Sequence, residues 1–159
     1  MAKKQYEDQT DLEKVQSQWH KLSGLHTREE WSAAIVRAAT ATEIAANHAI
    51  RCEFKQQSQL SADFVDCTLR WANGLAGKMD RLLLPMTKFS KKKHAKVKEL
   101  QKLAKTINEK RNAITHQGEF CNEAEAKEII AQAKKFITGL TTLYDPDFVL
   151  KQRKDAAGA

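Results

Sequence analysis

The chain has 159 residues, 42% hydrophobic and 30% charged, with Gly 6 and Pro 2. That length suits one domain able to bury a core. The composition fits a soluble globular protein and excludes wholesale disorder, collagen-like and low-complexity classes, while the few Gly and Pro disfavour a turn-rich β architecture. The formal net charge of +7 favours an anionic partner, nucleic acid first and membrane surface second.

Residues 1–8 read as a flexible lead without the apolar stretch of a secretory signal. Residues 9–145 read as one helical bundle and 146–159 as a C-terminal tail. A first helix is predicted from Gln9 to Leu22, because Leu12, Val15, Trp19 and Leu22 step by three and four. Ser23-Gly24 is its expected stop. Thr27-Arg-Glu-Glu30 has the form of a capping box, opening a long helix to Cys52. Its stripe is Trp31, Ile35, Ala38, Thr42, Ala45, Ala49 and Cys52, small-sided enough for close helix contact.

Gln56 to Gln59 reads as a turn. Ser61 caps a third helix carrying Phe64, Cys67, Thr68 and Trp71, and Pro85 is expected to end the helical run that follows. Lys88 to Lys93 reads as a solvated loop. A fourth helix is predicted from Ala95 to Ile114, with Val97, Leu100, Ala104, Ile107, Arg111 and Ile114 as its stripe and Gly118 as its stop. Asn122 with Glu125 caps a last helix to about Leu143. The expectation is an all-α, single-domain bundle of about five helices. Trp19, Trp31 and Trp71 are assigned to its core.

No apolar run approaches the roughly 20 residues of a membrane helix. Cys52, Cys67 and Cys121 cannot all pair and no C-x-x-C occurs, so a reducing cytoplasm is expected. His48 and Cys52 are four apart on one helix face. With no third ligand at a suitable spacing they read as packing, so no metal and no cofactor are assigned. Phosphate-binding glycine loops and the serine-hydrolase elbow are absent.

The basicity is local. Ten Lys or Arg residues lie between Met86 and Arg111 against Glu99 and Glu109, so that segment carries +8 and the rest of the chain −1. Lys91, Lys92, Lys93, Lys96 and Lys98 are candidates for tracking an RNA backbone. The same run also reads as a solvated helix face.

Arg111 stands where a Leu would be expected on an apolar stripe. A guanidinium there needs an anionic partner or an interface. Asn112 follows, and His116 lies four residues beyond it, within reach of its amide on a helix. On a continuous helix Arg111 and His116 are about 140° apart. They converge only if the helix ends between them or a second subunit completes the site.

Arg111-Asn112-Ala113-Ile114-Thr115-His116 resembles the Arg-Asn-x-x-x-His motif of HEPN domains, and the capped apolar helix after Gly118 is similar too. The resemblance implies a helical bundle that forms a homodimer. It also implies a metal-independent endoribonuclease, of the kind found in toxin–antitoxin and antiviral defence systems. Arg111 and His116 would then be catalytic and Asn112 the accompanying polar residue. A ribose 2′-OH would attack the adjacent phosphate, with His116 as acid or base and Arg111 stabilising the phosphorane. RNA, a second copy and an antitoxin or other partner protein are the implied partners. Glu43 is a candidate supporting acid, beside its plainer reading as an exposed helix residue. The alternative is a non-catalytic HEPN-like module that binds RNA or protein, or dimerises.

Overall fold

The computed structural model describes residues 4–152. Thr10 opens helix α1 (Asp11–Thr27): its hydroxyl accepts from the Glu13 amide while the Glu13 carboxylate accepts from the Thr10 amide. This reciprocal cap satisfies two of the amides left over at a helix start. Ser23-Gly24 does not stop α1. The helix runs on to Thr27 because Leu25 still packs against the core. The break falls at Glu29, at φ 60. Helix α2 (Trp31–Gln57) therefore starts from Glu30, which makes no side-chain cap, three residues after the start expected at Thr27.

Helix α3 (Ala62–Trp71) is capped by Ser61 as expected. Its buried side is Val65 and Leu69, followed by Ala72 beyond the helix end. The predicted face is the outer one: Phe64 is 54% and Trp71 72% exposed. Apolar residues occupy both faces at helical spacing, so periodicity does not choose between them.

Residues 74–86 form helix α4, made of Gly74–Gly77, a wide π-helical stretch Lys78–Leu83, and Leu84–Met86. Pro85 does not end it. A widened turn runs up to Pro85, closed by the Leu84 amide donating to the Met79 carbonyl, and the Thr87 amide donates to Leu83 beyond it. Helix α5 (Lys91–Gln117) starts from a Ser90 cap, so the lysine run is helical rather than loop. Helix α6 (Glu123–Thr141) carries the predicted Asn122–Glu125 box. The described residues thus hold six helices, against about five expected, and no strand.

Helix α2 is the axis, packed by α1, α5 and α6. Ala34, Ala38, Ala41, Ala45 and Ala49 are fully buried along it, their small side chains letting neighbours approach. Trp19, Ile35, Ile50, Leu100, Ile107, Phe136 and Leu140 fill the space around it. Arg51 of α2 bonds Asp11 at the start of α1 and Asp66 of α3, joining three helices.

Both flanks of the bundle are held. Lys4 pairs with Glu13, and the Tyr6 hydroxyl accepts from Gln18. The segment assigned to a tail packs as well: Leu150 is buried, and Gln16 bonds both the carbonyl and the amide of Lys151. The expected flexible or frayed residues 1–3 and 153–159 lie outside the described residues.

Candidate functional site

Helix α5 carries every residue of the predicted motif. It ends only at Gly118, whose left-handed φ of 69 lets its amide return to the Ala113 carbonyl. The helix therefore runs unbroken past both Arg111 and His116, and its end does not fall between them. In one chain the two side chains leave the helix about 140° apart.

Arg111 lies on the side of Val97, Leu100, Ala104 and Ile107 and is half-buried. Its Nη1 donates to Asn112 Oδ1 at 3.1 Å, and no carboxylate pairs with it among the described residues. Asn112 is thus engaged by Arg111, and the expected contact with His116 is not made. His116 is exposed and makes no hydrogen bond among the described residues. It faces the opposite way, in line with Lys91, Lys98, Lys102 and Lys105 on the 3.6-residue repeat.

The basic residues divide by role. Lys91, Lys92 and Lys98 are exposed without ion pairs among the described residues, and so is Lys102. Lys96 pairs with Glu99 at 3.0 Å, and Lys105 lies 4.0 Å from Glu109. Lys93 is withdrawn from the surface: it lies 2.7 Å from Glu53 and over the Tyr144 ring. Unlike the other candidate lysines, it has its charge held by a fully buried carboxylate. Glu43 pairs with Lys78 at 2.5 Å, and no hydrogen bond or ion pair joins it to Arg111 or His116.

The loop after α5 is fixed by Lys110, which bridges Glu119 and Glu125. Those carboxylates, Glu119 first, hold the ammonium well above its ordinary range, and Lys110 pulls Glu125 below its own. Phe120, in that same loop, is 92% exposed. The motif end of α5 therefore presents an uncompensated guanidinium, a free imidazole and a bare aromatic ring.

A second cluster lies away from α5. His48 and Cys52 of α2 meet Asp145, which the turn after α6 delivers from far along the chain. Asp145 Oδ2 is 2.6 Å and Cys52 Sγ 3.6 Å from His48 Nε2. Burial, and then the Asp145 and Glu53 carboxylates, push the Cys52 thiol up. The helical spacing of His48 and Cys52 was the visible signal. The third member is invisible to any local pattern.

No protein-family model, curated protein or solved structure matches this chain.

Proposed function

We propose that this protein is an RNA-binding helical module of HEPN-like type, which holds RNA phosphates along the exposed face of α5. One observation carries the reading: Lys91, Lys98, Lys102 and Lys105 line up with His116 on one side of a single unbroken helix. Lysines in such a row neutralise successive phosphates, and the released counterions drive binding. The test is binding of a labelled single-stranded RNA across a salt series. The logarithm of affinity should fall linearly with the logarithm of salt. Removing Lys98 and Lys102 together should lower that slope by roughly 1.4, from about 0.7 per neutralised phosphate. A slope unchanged in the double variant overturns the reading.

A second reading is metal-independent RNA cleavage at a site shared by two copies. Arg111 favours it, being half-buried and paired with no carboxylate among the described residues, as does Phe120 exposed in the next loop. An isologous contact at the motif end would bring Arg111 of one copy toward His116 of the other. RNA incubated with the protein in EDTA should then fragment, and His116→Ala should leave it intact. Equal fragmentation by the variant overturns this second reading.

A further inference from the structure

Three side chains of different chemistry converge at one point between α2 and the turn after α6. His48 and Cys52 are one helical turn apart on α2, so both donor atoms leave the same face. Asp145 comes from a tight turn, fixed by its amide donating to Thr141 and its carbonyl accepting from the Phe148 amide. The imidazole nitrogen, the thiol sulfur and the carboxylate oxygen all lie within 4.8 Å of one another.

The direction of approach is informative. A Cys–His–Asp catalytic relay uses opposite ring nitrogens, one for the thiol and the other for the carboxylate. Here sulfur and carboxylate both face Nε2. This is convergence on a shared space, not a relay through the ring. Tetrahedral zinc with bonds of about 2.0 to 2.3 Å sets its ligand atoms roughly 3.3 to 3.8 Å apart. The Nε2–Sγ separation of 3.6 Å already meets that. The Nε2–Oδ2 contact of 2.6 Å is a proton-sharing distance and must open as an ion replaces the proton.

We infer that His48, Cys52 and Asp145 bind one divalent transition-metal ion of the zinc class. A nitrogen, sulfur and oxygen donor set suits zinc and its neighbours, and does not suit the all-oxygen preference of calcium or magnesium. A thiolate and a carboxylate balance the ion's two charges. Asp145 is 44% exposed on its side chain, so water can reach the cluster to supply a fourth ligand. The ion would fasten the segment after α6 to the central helix. The site neighbours Glu53, whose partner Lys93 is near the start of α5, so it lies roughly 35 Å along the helix from His116.

The test uses the whole chain, reduced and freed of metal, titrated with Co²⁺ in the absence of oxygen. One ion per chain should bind, giving visible bands of tetrahedral strength and a near-ultraviolet thiolate-to-cobalt band. Added Zn²⁺ should bleach both. The Cys67→Ser/Cys121→Ser double variant should behave like the parent. Cys52→Ser should lose the thiolate band, and His48→Gln and Asp145→Asn should each weaken binding by at least about tenfold. Circular dichroism of each variant confirms that it is folded. Asp145→Asn, at a partly exposed turn, keeps the test open where a helix variant does not fold. No thiolate band in the parent, a band that survives Cys52→Ser, or one lost with Cys67 and Cys121 overturns the assignment.

Discussion

Lys93 Nζ lies 2.7 Å from Oε1 of Glu53, a carboxylate with no exposed surface. Tyr144 donates to the same oxygen at 2.6 Å, and Gln57 donates to Oε2 at 2.6 Å. Glu53 thus sits where α2, the start of α5 and the turn after α6 meet, with both oxygens satisfied. Burial and then this carboxylate push the Tyr144 phenol up, so it stays a donor.

Breaking this arrangement from one side should be severe. Lys93→Ala leaves a buried carboxylate without its counter-charge, a loss of about 3 to 5 kcal/mol. Lys93→Met with Glu53→Gln removes both charges together and should recover most of that loss. Urea unfolding of the single and double variants measures it. An exposed lysine's role would predict almost no change for Lys93→Ala.

The opposed faces of Arg111 and His116 give the cleavage reading a distinctive signature. Neither Arg111→Ala nor His116→Ala should cut RNA alone. Co-refolded at equal amounts, half of the dimers should be mixed, each with one intact site drawn from two chains. About a quarter of the parent activity should return. Silence in the mixture, with an active parent, would place both residues in one chain's site.

Acid should loosen the loop after α5. The Lys110 side chain and the Asn122 amide hold the Glu125 carboxyl below its ordinary value of 4.5. A group depressed in the folded state contributes stability above its unfolded value and loses it as pH falls through the folded one. Stability should therefore decline as pH drops below about 4.5. Glu125→Gln should flatten part of that decline. Thermal melts of both proteins between pH 6 and pH 3 read the difference (a range on the order of the carboxylate titration).

Gly139 of α6 faces Leu100 and Lys96 of α5. A Cβ there would stand 3.1 Å from Leu100 Cδ2 and 3.6 Å from Lys96 Cε. Alanine gains about 1 kcal/mol of helix propensity over glycine. Leu100 is fully buried and would have to give by a few tenths of an ångström, and overpacking costs about 1 to 3 kcal/mol. Gly139→Ala should thus lower stability by about 1 kcal/mol, and a higher melting temperature would show that the interface gives way.

Local signals were legible at three helix ends built from their own residues, and missed at the Thr10–Glu13 box and the Ser90 cap. Ser61, the Asn122–Glu125 box and Gly118 act as their types predict. The sequence misled where a tertiary contact outweighs a local preference. Leu25 draws α1 through Ser23-Gly24, and a widened turn carries α4 through Pro85. The basic segment was visible as a count, but only the helix shows Lys93 turned inward and His116 lined up with the outward lysines. Asp145 meets His48 through chain folding alone.

The Gln16 clasp on Lys151 joins residues 135 apart in sequence. A contact that closes so long a loop gains little until the helices between are already assembled. It should form late on the folding route, and it should open before the core melts. Hydrogen exchange at the Lys151 amide, which the clasp itself protects, would then time the release of this end of the chain separately from global unfolding.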